Sequence, residues 1–281
     1  TVPPEPKPEP KPDNTKKKNN KKKKTMYLVA GICAAAVVCA VVLIFALKQN
    51  GGTVAVGTVN RIAEGDKFTL YVDNKGALKT NGQFSSSNFK EVVQVSAYGS
   101  HAVGLTSKGK VVTNDNDSAV SDWNNITMVA AGKDHTVGLE KNGTVQCSGN
   151  ANACAVSDWT DITAVYAGNG VTIGLDKDGT LSTSGSINSA IGNQSDVVSV
   201  SMSDEFLSIT KKDGTVSSYA IGSKPVISTS DFSKVVSTAS CSTAIVGVQS
   251  DGKVAIATNN NDIQKAVSGW TNIKYAAAYG N

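Results

Sequence analysis

The sequence predicts an all-β repeat domain preceded by one apolar, membrane-spanning helix. Three observations predict it. A short phrase returns down the chain: VSDWNNI at 120–126, VSDWTDI at 156–162 and VSGWTNI at 267–273. A second phrase returns in the same order: HAVGLTSKG at 101–109, HTVGLEKNG at 135–143, VTIGLDKDG at 171–179 and TAIVGVQSDG at 243–252. Residues 26–47, MYLVAGICAAAVVCAVVLIFAL, run 22 residues without a charge. The closing glycines of the second phrase (Gly76, Gly109, Gly143, Gly179, Gly214, Gly252) lie 33, 34, 36, 35 and 38 residues apart. Such a period means an array of like units, with function in its loops.

The elements follow in chain order. Residues 1–15, TVPPEPKPEPKPDNT, alternate Pro with Glu and Lys, which builds an extended spacer and no core. Residues 16–24 hold seven Lys. Together 1–25 read as a cytoplasmic linker. The apolar run at 26–47 spans about 33 Å as a helix, against a hydrocarbon core of about 30 Å. It is longer than the apolar region of a signal peptide. Cys33 and Cys39 follow Ile32 and Val38, so neither has the small preceding residue of a lipoprotein cleavage site. With only Lys48 close on the far side, the positive-inside rule puts the N-terminus in the cytoplasm and the repeats outside. The expected molecule is thus a single-pass cell-membrane protein that meets lipid through 26–47. The lysine run as a nucleic-acid patch is the alternative; its place directly before an apolar 22-mer favours the topological role. Residues 48–58 form a juxtamembrane segment in which Gly51–Gly57, GGTVAVG, has the pattern of a strand that finishes a repeat.

Residues 59–281 are the repeat domain. Each unit is rich in Val, Thr, Ile, Ser and Gly, and none keeps a sustained helical period. Val103-Gly104-Leu105, Val137-Gly138-Leu139, Ile173-Gly174-Leu175 and Val246-Gly247-Val248 alternate apolar with small, and glycine within a strand marks close approach. A polar turn closing on Gly follows, as a hairpin needs. A third strand comes next, such as Thr144-Val145-Gln146. Then comes an aromatic with an aliphatic three residues on: Phe89/Val92, Trp123/Ile126, Trp159/Ile162, Phe232/Val235 and Trp270/Ile273. The fourth unit departs with Gln194 and Val197. The aromatics read as packing between neighbouring units, with sugar stacking as the alternative. About 35 residues hold four short strands, which is one propeller blade. Six units are whole. The chain ends on Tyr275–Asn281, the opening of a seventh, so the reading is an incomplete seventh blade in a fragment cut at both ends, with a closed six-blade ring as the alternative.

The HTVGL, DGTV, VSDWTDI and V-x-AG phrases, at fixed offsets through five or six units, resemble the regulator of chromosome condensation repeat in its short bacterial form. The resemblance covers roughly residues 59–281 and implies a propeller of about seven four-stranded blades. Members include the nucleotide-exchange factor for the GTPase Ran and secreted β-lactamase inhibitor proteins. Tyr71 and Ile209 stand where the mid-strand glycine is expected, which predicts distortion or a register shift in the first and fifth units.

Charge narrows the function. The chain carries 27 basic and 23 acidic residues; 10 Lys and 3 acids fall in 1–50, which leaves 17 and 20, a net charge of −3. That balance gives no electrostatic footprint for nucleic acid. No insertion breaks the spacing, whereas exchange activity in the family depends on a projecting element. His101 and His135 occupy the same repeat position and read as equivalent strand residues, not as a ligand pair. Asp176-Lys177-Asp178-Gly179 lacks the later Glu of a calcium loop. Asn259–Asp262 reads as a polar turn. Asn125, Asn142 and Asn193 head glycosylation sequons, the first two as by-products of the repeat. Cys147 and Cys154 flank a six-residue loop; whether they bond depends on a Cα separation that sequence does not give. Cys241 reads as a lone buried residue. No catalytic, metal or cofactor set converges, so the chain is not expected to be an enzyme; a propeller hydrolase or lyase with a central-channel site is the rival.

Positions that vary inside a constant frame are the candidates for recognition. They follow the AG phrase: Asp66, Lys67, Ser100, Lys133, Asp134, Asn169, Asp204 and Glu205. Equivalent loops would ring one face of the disc, where a rigid scaffold presents binding residues. The expected partner is a protein or cell-surface ligand; simple solvated turns are the alternative.

Overall fold

The computed structural model describes residues 40–45, 61–73, 76–115, 117–187, 189–267 and 269–279. Strand β1, Ala40–Phe45, comes first. Six three-stranded antiparallel meanders follow. Sheet one is β2 (Ile62–Glu64), β3 (Phe68–Val72) and β4 (Leu78–Gly82). Sheet two is β5 (Val92–Tyr98), β6 (His101–Thr106) and β7 (Val111–Thr113). Sheet three is β8 (Ile126–Ala131), β9 (His135–Glu140) and β10 (Val145–Gly149). Sheet four is β11 (Ile162–Ala167), β12 (Val171–Asp176) and β13 (Leu181–Gly185). Sheet five is β14 (Val197–Met202), β15 (Phe206–Lys211) and β16 (Val216–Ala220). Sheet six is β17 (Val235–Cys241), β18 (Ala244–Gln249) and β19 (Val254–Thr258). Finally β20, Ile273–Tyr279, pairs antiparallel with β1.

First strands pack on first strands in a cycle: β2 on β5, then β8, β11, β14, β17, β20, and back to β2. Seven sheets therefore stand around one axis with their first strands innermost. The core lies between sheets. Tyr98, Val103 and Leu105 of sheet two pack with Trp123, Ile126 and Val129 at the start of sheet three, and this pattern repeats around the ring. Each sheet buries its faces on its neighbours alone, as in other repeat arrays.

Two devices set the spacing of the sheets. The mid-strand glycine receives the aromatic. A Cβ on Gly138 would lie 2.8 Å from the Trp123 ring, and one on Gly174 would lie 2.9 Å from the Trp159 ring. Trp123 and Trp159 are 7% and 8% exposed, so neither offers a free face to a sugar. The hairpin glycine docks the next sheet: the carbonyls of Gly109, Gly143, Gly179, Gly214 and Gly252 accept the N–H of Ile126, Ile162, Val197, Val235 and Ile273. The residue before each first strand (Glu91, Asn125, Asp161, Asp196, Lys234, Asn272) is left-handed, with φ between 56° and 62°. That kink turns the chain into the bulge that opens strands β5, β8, β11, β14 and β17.

Several expectations are corrected. The sheets have three strands, not four. In the connecting segments, the N–H of each aromatic bonds the carbonyl three residues back (Trp123 to Val120, Trp159 to Val156, Phe232 to Thr229), so these backbone groups close turns instead of a fourth ladder. Sheets one and five are not shifted: Ile62 faces Tyr71 and Val200 faces Ile209, as Val165 faces Gly174. In sheet five Ile209 fills the room that an aromatic takes elsewhere, beside Ile191 of the short helix Ser189–Gly192. The polar turn at 259–262 is in part a helix, Asn261–Val267, because the Asn260 side chain accepts the N–H groups of Asp262 and Ile263 and caps it. Ala40–Phe45, expected within the membrane helix, is a strand: its β-branched and aromatic residues suit a ladder, and β20 has an edge to offer. Among the described residues, no helix is long and apolar enough to cross a membrane. The linker 1–25, the rest of the apolar run and Gly51–Gly57 lie outside the described residues.

Candidate functional site

The turns between first and second strands gather at one end of the ring, where neighbours bond each other. The Asp66 N–H donates to the Gly99 carbonyl, and the Lys133 N–H donates to the Gly168 carbonyl. Asp66, Lys67, Ser100, Lys133, Asp134 and Asn169 are exposed on this end; Asp204 and Glu205 are half-buried. The last two are committed internally. The Tyr98 hydroxyl donates to the Asp204 carboxylate. Sheets two and five are nearly opposite among seven, so this pair reaches across the axis. Glu205 accepts the N–H groups of Ser223 and Lys224 at 2.8 and 2.9 Å and shapes the loop after β16.

Three of the eight residues come together. Ser100, Lys133 and Asp134 line a cleft of about 570 Å³ at the seam of sheets two and three. The rest of the lining comes from Asn114, Asp115 and Asp117, after β7 of sheet two, and from Ser148 and Gly149, at the end of β10 of sheet three. Both histidines of the chain line it as well. Asp66, Lys67, Asn169, Asp204 and Glu205 lie outside it.

The histidines carry a relay of bonds from sheet to sheet. His101 Nδ1 lies 3.2 Å from the Asp115 carboxylate, and its Nε2 lies 2.9 Å from the Thr136 hydroxyl of the next sheet. His135 repeats this with Asp134 at 3.3 Å and Thr172 at 3.0 Å. A carboxylate only accepts, so Nδ1 carries the proton and Nε2 of the neutral ring accepts from threonine. Burial holds both imidazoles below the ordinary histidine value, against the pull of Asp115 and Asp134. For Asp115, partial burial pushes the carboxyl up, but the Thr113 bond, His101 and the Asp117 N–H together bring it below its ordinary value. Asp134 is also lowered: the bonds from Asn150 and His135 outweigh burial.

The remaining wall is fixed covalently. Cys147 and Cys154 form a disulfide with Cα atoms 5.2 Å apart. Ser148 donates to Asp117 at 2.8 Å, and Asn150 donates to Asp134 at 2.8 Å. Cys241, read from sequence as a lone buried residue, is buried but is disulfide-bonded. Among the described residues, no group of three or more His, Cys, Asp or Glu is placed to hold a metal ion.

The sequence pointed to the turns and not to the cleft. Treating His101 and His135 as equivalent positions on adjacent units was sound, yet adjacency itself brings them to one cleft. The missed residues, Asn114, Asp115, Asp117 and Ser148, also vary between repeats, which is the signal that could have found them.

A ring of six three-stranded antiparallel meanders and one two-stranded sheet, with first strands at the axis, is a β-propeller. Residues 126–155 match the regulator of chromosome condensation (RCC1) repeat. That stretch runs from β8 through β10 and the loop that follows. No curated protein sequence matches it. Among solved structures it is similar to Prp20p from Saccharomyces cerevisiae, described with its binding to Gsp1p and histones (15% identity, TM-score 0.53, 78% of this chain and 76% of that one). It is similar to human WBSCR16 (14% identity, TM-score 0.54, 76% and 78%). It is also similar to the CRINKLY WD40 ectodomain of the Arabidopsis thaliana receptor kinase ACR4 (15% identity, TM-score 0.51, 70% and 79%). Identities this low show the fold alone.

Proposed function

We propose that this chain is a binding module: a propeller held at the outer face of the cell membrane that presents its turn-bearing end to a protein or cell-wall ligand. The observation that carries this reading is the open polar cleft at the seam of sheets two and three, built on rigid strands and lined by Ser100, Lys133 and Asp134. Three further points support it. The Cys147–Cys154 disulfide fits an oxidising compartment. The receptor-kinase ectodomain shows that this fold serves outside cells, and Prp20p is described as binding proteins. The repeat domain's net charge of −3 disfavours nucleic acid. Binding is favoured over catalysis because the carboxylates nearest the axis are engaged, Asp204 by Tyr98 and Glu64 by Thr69.

Anchoring rests on the uncharged run at 26–47 and its lysine flank. An anchored chain gives up the pairing of Ala40–Phe45 with β20, since one segment cannot be both strand and bilayer helix. Protease treatment of intact cells tests the arrangement. The expected result is loss of the propeller with the N-terminal tail protected; a protected propeller with a digested tail would sink it.

A further inference from the structure

We propose that the Cys147–Cys154 disulfide is a redox-sensitive clamp that sets the shape of the cleft. It rests on the reading of that cleft as the binding site only for its consequence on binding; the clamp itself stands on the geometry. The bond encloses six residues, 148–153, which comprise the end of β10 and the turn that follows it. That loop holds both sides of the seam. Ser148 donates to Asp117, and Asn150 donates to Asp134 through its side chain at 2.8 Å and through its backbone N–H at 3.0 Å. Within the loop, Asn150 Oδ1 accepts the N–H groups of Asn152 and Ala153. On the other flank, the Asn152 carbonyl accepts the Ser184 hydroxyl of sheet four at 2.6 Å. The equivalent segments after β13 and β19 are built on short helices instead. Only the third unit places two cysteines there, and its loop is the one that meets the cleft carboxylates.

Reduction by a dithiol breaks the S–S bond. Two electrons and two protons pass to the two sulfurs, giving two thiols, and the reductant leaves as its own disulfide. The loop then lacks the covalent tie that holds Asn150 against Asp134. Asp134 loses a donor, and His135 Nδ1 faces a carboxylate free to turn. Cys147 and Cys154 are both half-buried, so a small dithiol reaches them without unfolding of the sheet. In the oxidised form the cleft has one shape; in the reduced form its wall is mobile while the ring stays intact, because the blade-to-blade bonds at Gly143 and Ile162 do not involve the loop.

The test uses the full chain, labelled with ¹³C-histidine, before and after dithiothreitol. Only two imidazole signals arise, from His101 and His135. The expected outcome is a shift of the His135 signal and about tenfold faster amide exchange across 150–153, with unchanged exchange in β8, β9, β11 and β12. The Cys147→Ser/Cys154→Ser protein should show the same pattern without reductant. Unchanged exchange and an unmoved signal overturn the clamp. Cooperative loss of the whole sheet signal by circular dichroism in the Cys147→Ser/Cys154→Ser protein, which keeps the Cys241 disulfide, also overturns it, since the Cys147–Cys154 bond would then hold the fold and not the cleft. None of these readouts needs a ligand, so failure of the binding reading leaves them unaffected.

Discussion

Glu64 shows how one residue couples the fold to pH. It sits on β2, largely withdrawn from water, and takes the Thr69 hydroxyl at 2.8 Å. Burial raises its carboxyl from 4.5 to about 7, and the Thr69 bond offsets only part of that. The folded chain therefore keeps a proton that the unfolded chain has lost. Its contribution to stability is complete below the unfolded value of 4.5 and disappears as pH rises through about 7. Glu64→Gln keeps the acceptor for Thr69 and removes the titration. The variant should match the parent near about pH 4 and melt about 2–4 °C higher near about pH 8, equivalent to roughly 1 kcal/mol after allowance for its solvent-facing side. Equal melting at both pH values would show that Glu64 reaches water freely.

At the scale of the element, the strand glycine and the aromatic act as one part. Gly174 has ordinary backbone angles, so conformational freedom is not its purpose. Its missing side chain is the seat of Trp159: a Cβ there would meet the indole at 2.9 Å and Ile162 Cδ1 at 3.0 Å. Gly174→Ala should cost about 1–3 kcal/mol in urea unfolding, as overpacking does. Adding Trp159→Leu should restore part of the loss, which a backbone effect would not allow. Sheet five is the natural control, with Ile209 in the seat and Gln194 where the aromatic would stand. The recurring glycine and the recurring aromatic were each legible in the sequence; that the ring seats on the glycine was not. The left-handed residue before the first strands was only partly legible: Asn125, Asp161, Asp196 and Asn272 are of the types that tolerate this region, whereas Glu91 and Lys234 give no such signal.

The whole molecule depends on one strand. β20 touches both β17 and β2 along the inner cycle, so it joins the sixth sheet to the first. Deleting residues 273–281 should leave two bare seams, lower the melting temperature by about 10 °C and broaden the size-exclusion profile, as loss of an interface in a repeat array does. An unchanged monomer peak with unchanged melting would show that six sheets close without it. The Tyr98–Asp204 bond belongs to the same scale: it joins sheets that are never neighbours, so no inspection of single repeats reveals it.

The sequence by itself determined the period, the strand content and the recurring glycine and aromatic positions, because these arise from side-chain size and turn chemistry that recur at fixed offsets. It also marked the turns at one end as variable. Tertiary structure alone decided which of those turns form a cleft. His101 and His135 lie 34 positions apart and look like copies of one strand residue. Adjacent sheets bring them to one cleft, and each bonds a threonine of the next sheet. The Cys147–Cys154 bond was likewise undecided until the Cα separation of 5.2 Å was known. Local sequence fixes what a unit is made of. The angle between units, which depends on every seam around the ring at once, fixes what the units enclose.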